Sequence, residues 1–387
     1  MSKVSAWSIA ALLCFMAAGP AAAYQDGDPV ETAAAEAVPT PRTIIREARA
    51  IQQPRGIEEL RAVNIGGIEQ WISIRGRDRR NPILLFIHGG PASAEMPVSW
   101  LYQSPWEDYF TVVQWDQRGT GKTAAANDPA VVTPTITIER MTADGEELVA
   151  LLRETFDKDK IFVLGHSWGT VIGLGIAQRH PEWLHAYIGM GQVINGQENE
   201  RVGYAFAQGE ARRRNDAQAQ AELAAIAPYP AADGAVTFEQ ILAQRKWVIG
   251  YGGLTWGRSD FAYEQNARTL SPEYTDEDLA ADQYIGASLV QLLPGLTRLD
   301  FGDVRRIDCP IFLFNGRHDY ATPSSISAAW LETVSAPQKQ VFWFEHSAHM
   351  MQFEQPGKVF MHLVRDIRPI AERAGDVAPE DQPGLGE

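Results

Sequence analysis

The most constraining feature of this chain is five residues long. Gly165-His166-Ser167-Trp168-Gly169 follows directly on the apolar run 161–164 and precedes a helix-like stretch, 170–179, that stops before Pro181. G-x-S-x-G in that setting predicts a sharp strand-to-helix turn with a serine at its tip. Large side chains two positions either side of the serine would clash, so glycines flank it. The helix that follows points its N-terminal N–H groups at the serine and favours negative charge developing there. The five-residue match alone is weak, because it recurs by chance. Its position between strand and helix makes it specific.

The rest of the chain supports that setting. Residues 72–75 alternate apolar and polar. Residues 82–87, 110–115, 161–164, 186–190, 311–314 and 340–344 are short, largely unbroken apolar runs. Such runs suit strands buried on both faces, as in a parallel sheet covered by helices. Between them, 138–156, 170–179, 324–334 and 356–367 read as helices, the first with apolar residues at Met141, Leu148, Leu151 and Leu152. Strand and helix in alternation define an α/β fold with a mostly parallel central sheet flanked by helices. Residues 192–300 break the alternation. They are rich in Ala, Gln, Glu and Arg and read as an inserted helical cap. The catalytic domain is then 46–191 and 301–372.

The ends of the chain read differently. Met1-Ser2-Lys3, the mostly apolar stretch 4–19 and Ala21-Ala22-Ala23 predict a signal peptide over 1–23. That places the protein outside the cytoplasm, periplasmic or secreted. The stretch is shorter than the roughly 20 residues of a membrane span. An uncleaved anchor is the alternative reading, and after cleavage no stable membrane insertion is expected. Residues 24–45 lack hydrophobic periodicity and read as a flexible linker, and 373–387 as a disordered tail. Loss of Cys14 with the signal leaves Cys309 alone, without an intrachain disulfide. Two cysteines also exclude a cysteine-rich zinc site. The net charge of −15 argues against nucleic acid and against an anionic membrane surface.

A serine nucleophile needs a base, an acid and a home for the oxyanion. His88-Gly89-Gly90-Pro91 ends an early strand. Such a loop can turn the Gly90 N–H, with that of Trp168, toward a substrate carbonyl oxygen. A plain glycine turn is the alternative. Asn315-Gly316-Arg317-His318-Asp319 leaves the carboxyl end of the strand 311–314, where open α/β sheets gather functional groups. Asp303 and Asp308 lie at its other end, so Asp319 is the candidate acid. The base follows the acid in this chain order. His349, in the loop Ser347-Ala348-His349-Met350, is preferred over His346 on position, and His362 lies in the last helix. His166 and His318 read as packing or pocket-shaping groups. Arg118, in Asp116-Gln117-Arg118-Gly119-Thr120-Gly121, reads as the partner of a buried carboxylate, since a guanidinium does not act as a base at neutral pH. No dinucleotide or phosphate loop occurs, so neither cofactor nor metal is expected.

The motifs around residues 88–91, 115–121, 165–170 and 347–349 together resemble the proline iminopeptidase branch of the α/β-hydrolases. The resemblance covers about 60–190 and 300–370. It implies the α/β-hydrolase fold, a Ser167–His349–Asp319 triad, a helical cap, and peptides with a free N-terminal proline as substrates. Members that remove N-terminal proline hold the free amino group with cap carboxylates. Glu198 and Glu200 are candidates for that task here, with solvated helix charges as the alternative. Trp247, Tyr251 and Trp256 are candidates for an apolar pocket wall, or simply for cap packing. The reading is therefore a serine hydrolase acting on a small peptide or ester through an acyl-enzyme. A carboxylesterase or lactonase is the rival within enzymes. A non-catalytic binding protein on the same fold is the rival outside them. A dehalogenase or epoxide hydrolase would need a carboxylate at position 167. The sequence leaves the oligomeric state open.

Overall fold

The computed structural model describes residues 38–281 and 285–379. Among them, eight strands form one sheet in the order β1-β2-β4-β3-β5-β6-β7-β8. The strands are β1 (Ile57–Ile65), β2 (Ile68–Gly76), β3 (Ile83–Ile87), β4 (Thr111–Asp116), β5 (Ile161–His166), β6 (Leu184–Met190), β7 (Ile311–Gly316) and β8 (Lys339–Phe344). β1 and β2 pair antiparallel, as do β2 and β4, and all remaining pairs are parallel. The parallel strands are the unbroken apolar runs. Ile83, Leu85, Ile87, Ile161 and Val163 face one buried cluster with the helices Ile138–Phe156 and Gly169–Arg179. Leu84, Phe86, Phe162, Leu164, Phe312 and Phe314 face a second cluster on the other side. A two-sided core explains why these strands do not alternate apolar with polar.

Register aligns the carboxyl ends of the parallel strands. Ile87 pairs with Gly165, His166 with Met190, Met190 with Phe314 and Gly316 with Phe344. The loops after β3, β5, β6, β7 and β8 therefore emerge side by side on one rim. β1 has no counterpart among the predicted strands. It lies at the sheet edge and buries only Ile57, Val63 and Ile65, so its apolar residues neither run unbroken nor alternate regularly.

The insert leaves and rejoins the sheet domain at one point. Gly196 N–H donates to Leu299 O (2.9 Å) and Phe301 N–H to Ile194 O (2.8 Å). Its main helices are Gly196–Arg213, Ala217–Ala225, Phe238–Gly250, Ala262–Arg268 and Ile285–Leu296. Tyr204, Ala207, Ala211, Leu223 and Val248 give it a small core of its own. No helix among the described residues is long and apolar enough to cross a membrane.

Both ends of the described chain are more ordered than their composition implies. A helix, Pro41–Ala48, begins inside the span read as a linker. Thr40 caps it, with its hydroxyl accepting from Thr43 N–H, and Pro41 occupies its first turn. Its order comes from arginines rather than an apolar stripe. Arg42 donates to Thr269 O, Arg46 to Pro272 O, and Arg49 pairs with Glu107 and Glu273. At the other end, the disordered reading of 373–387 fails for its first residues. Asp376 is bound by Lys158 and His185, and Val377 and Ala378 are buried. The signal-peptide reading of 1–23, the linker over 24–37 and the tail over 380–387 lie outside the described residues.

Candidate active site

Ser167 sits at the tip of the turn after β5 with φ +53°, a left-handed backbone that costs a non-glycine residue roughly 1–2 kcal/mol. Its neighbours hold it there. Ser167 N–H donates to Met190 O (2.9 Å), and Ser167 O accepts from Thr170 N (2.9 Å) and Thr170 Oγ1 (2.6 Å). The flanking glycines are required by space. A Cβ on Gly165 would stand 2.5 Å from Gly169 O, and one on Gly169 would stand 2.0 Å from Ile87 O. Within a buried turn, Ser167 itself is partly exposed. Its Oγ makes no hydrogen bond among the described residues.

Asp319 and His349 meet above β7 and β8. His349 Nδ1–H donates to Asp319 Oδ2 (2.7 Å), and both side chains are buried. The other carboxylate oxygen is occupied: Asp319 Oδ1 accepts from the N–H groups of Ala321 and Thr322, each at 2.9 Å. Thr322 Oγ1–H donates to Asp319 Oδ2 (2.9 Å) and lies 3.2 Å from His349 Nδ1. With Nδ1 carrying the proton, Nε2 is left as an acceptor. The imidazole packs against Gly191, where a Cβ would stand 2.8 Å from His349 Cε1. Gly191 follows Met190, whose carbonyl holds Ser167. The serine turn and the imidazole thus flank the same two residues.

The other histidines are occupied elsewhere. His166 is buried, and burial pushes its pKa down to about 3. Its Nε2–H donates to His349 O (3.0 Å), so it props the loop that carries His349. Burial likewise pushes His88 down to about 4. His346 is exposed, and His362 binds Asp366 and packs its ring on Phe342.

The loop after β3 passes close over the serine. A Cβ on Gly89 would stand 2.9 Å from Ser167 Cβ, and Gly90 has φ +112°. Neither Gly90 N–H nor Trp168 N–H is taken by another described residue. One side chain, unremarked in the sequence, joins the two loops. Gln117 is fully buried; its Nε2–H donates to His88 O (2.8 Å) and its Oε1 accepts from Trp168 Nε1–H (2.8 Å). Neighbouring Arg118 makes a bidentate pair with the buried Asp144 (2.8 and 3.1 Å). Asp144 also accepts from Arg140 Nε–H (2.8 Å) and Gln70 Nε2–H (2.9 Å).

No cap candidate makes a hydrogen bond to Ser167 among the described residues. Glu198 pairs with Arg201 on the same helix and lines an open groove of about 790 Å³ between the insert and the helix Ser324–Thr333. Glu200 is buried, but its carboxylate is held by Arg245 and Tyr229. Trp247 packs on Tyr251 within the cap and donates to Glu222. Trp256 is half-exposed and stacks on His318, with ring centres 3.6 Å apart. Arg245 lies 45 residues from Glu200 along the chain.

This fold and rim define the class. The profile of the alpha/beta hydrolase fold family matches residues 82–356, and the chain belongs to that family. Within it, the chain is similar to the proline iminopeptidase branch. It is 29% identical over 325 residues to a Bacillus subtilis protein named probable aminopeptidase YbaC, covering 82% of this chain and 99% of that one. It is 26% identical over 277 residues to the proline iminopeptidase of Neisseria meningitidis serogroup B, covering 67% and 80%. The solved structure of the Mycobacterium smegmatis proline iminopeptidase superposes with a TM-score of 0.56 at 19% identity, covering 82% of this chain and 100% of that one.

Proposed function

We propose that this chain is an exported serine hydrolase that works through an acyl-enzyme and removes N-terminal residues, proline foremost, from short peptides. The observation that carries the chemistry is the Asp319–His349 pair at 2.7 Å beside a left-handed Ser167. The names of the relatives support the peptidase reading. As substrate binds, Ser167 Oγ–H donates to His349 Nε2; such hydrogen bonds commonly tighten only in the complex. Oγ attacks the carbonyl carbon and its proton passes to Nε2. The oxyanion is received by Gly90 and Trp168 N–H, and Asp319 stabilises the imidazolium. Collapse breaks the C–N bond, and His349 returns the proton to the departing amine. Water then repeats the attack on the acyl-enzyme, with His349 again taking and returning the proton.

The neutralisation of Glu198 by Arg201 and of Glu200 by Arg245 favours a second reading, a carboxylesterase or lactonase. A three-substrate comparison separates the two. A proline arylamide with a free amine should be cleaved at least tenfold faster than its N-acetyl form. Equal rates, or turnover of the ester alone, would leave the esterase reading. No labelling of Ser167 by a fluorophosphonate would remove both and restore the binding-protein alternative.

Gln117 supplies a further prediction. Gln117→Leu keeps the volume but unties His88 O from the Trp168 indole. A single oxyanion donor is worth on the order of 10²–10³ in rate, so partial misplacement of both should lower kcat roughly 10–100-fold with KM nearly constant. Steady-state kinetics on a small chromogenic ester measure this, and an unchanged kcat would show that the clamp is dispensable.

A further inference from the structure

Four contacts join a single stretch of the cap to the residues around the acid and the base. Gly253 O accepts from Tyr320 N–H (2.8 Å), next in the chain after Asp319. Leu254 O accepts from His349 N–H (3.1 Å). The Glu354 carboxylate accepts from Trp256 N–H with one oxygen and from Ala348 N–H (2.8 Å) with the other. The Trp256 ring lies flat on His318, next in the chain before Asp319. The stretch is also wedged. A Cβ on Gly253 would stand 2.7 Å from the Phe206 ring and 3.1 Å from Tyr320 Cβ, while Phe206 and Tyr320 themselves stack at 3.8 Å.

On these grounds we infer that residues 253–256 of the cap, fastened by Glu354, are a positioning element for the Asp319–His349 pair. This rests on the serine-hydrolase reading and deepens it. A cap that only sized the substrate would need no bonds to the backbone on both sides of the acid and the base. Here the backbone N–H of the base itself is satisfied by a cap carbonyl. The residue before it is satisfied by a carboxylate that also holds the cap. Glu354 touches neither the serine nor the imidazole, so its action is through the loop. A displaced cap would leave His349 N–H unpaired and Glu354 held by Ala348 N–H alone, and the imidazole free to drift. A drift of even 1 Å at such a site costs on the order of 10²-fold in rate. Acid, base and cap therefore form one assembly, complete only with the cap seated.

The test uses the full chain. Wild type is first labelled with a fluorophosphonate; no labelling would remove the serine-hydrolase reading and this inference with it. Glu354→Gln retains the shape, but its amide can accept from only one of the two N–H groups. With a small chromogenic ester, kcat should fall about tenfold while KM stays within twofold, and the labelling rate should fall by the same factor. A kcat and labelling rate within twofold of wild type would overturn the inference. So would a rise in KM at constant kcat, which would make the segment a substrate wall. If Glu354→Gln does not fold, Trp256→Ala, at a half-exposed position outside the cores, serves instead. A severalfold drop in kcat at constant KM supports the inference, and both constants within twofold of wild type overturn it.

Discussion

Ser167→Ala is expected to lower kcat by on the order of 10⁶ and leave the fold intact. Both halves follow from the site. The hydroxyl is the atom that would form the acyl bond, and the neighbouring side chains offer no substitute: His166 and His88 are buried and neutral, with pKa values pushed down to about 3 and 4. All hydrogen bonds of Ser167 are made by its backbone, to Met190 and Thr170, so truncation at Cβ removes none of them. Stability should move by no more than about 0.5 kcal/mol. Ser167→Gly is the informative companion. It is equally inactive, but it relieves the left-handed strain at φ +53° and should raise stability by roughly 1 kcal/mol. Ester kinetics with denaturant unfolding of the three proteins check this. Residual turnover in Ser167→Ala above about 1% of wild type would place the nucleophile elsewhere. Unchanged stability in Ser167→Gly would mean that the turn carries no strain.

The parallel strands were legible because burial on both faces leaves a continuous apolar run, as in Ile83–Ile87. β1 was not, because an edge strand with only Ile57, Val63 and Ile65 buried has too little apolar signal. The same logic separates the site. Ser167 carries a local signature, the clash-enforced glycines at 165 and 169. Asp319 and His349 follow from their places at adjacent strand ends. Gln117 and Thr322 carry no such signature, since a buried amide or hydroxyl is told from a surface one only by its partners. Those partners, His88 and Trp168 for Gln117, lie 29 and 51 residues away. The cap was the least legible part. Glu198 and Glu200 look alike in sequence, yet one is half-buried beside Arg201 and the other is buried against Arg245 and Tyr229. The N-terminal helix Pro41–Ala48 was missed for a related reason, its order being supplied by arginine contacts with residues 269–276.

Asp319→Asn should cost on the order of 10⁴ in kcat with little change in stability, and the hydrogen bonds around the carboxylate say why. Oδ1 accepts from two fixed backbone donors, Ala321 and Thr322 N–H. Those donors admit only an oxygen, so the asparagine carbonyl must take that place. The NH₂ is then forced into the place of Oδ2, facing His349 Nδ1 at about hydrogen-bond distance. A donor there requires Nδ1 to accept, which moves the ring proton to Nε2. The imidazole would be held in place, and in the wrong tautomer to receive the proton of Ser167. Asp319→Ala lacks that inverted donor. It leaves the ring free to adopt either tautomer, so it should be no less active than the asparagine variant despite removing more atoms. The two kcat values, with thermal unfolding as a control, decide the point. An asparagine variant within tenfold of wild type would mean that His349 does not take its orientation from residue 319. An alanine variant far less active than asparagine would assign Asp319 a role through packing rather than through the tautomer.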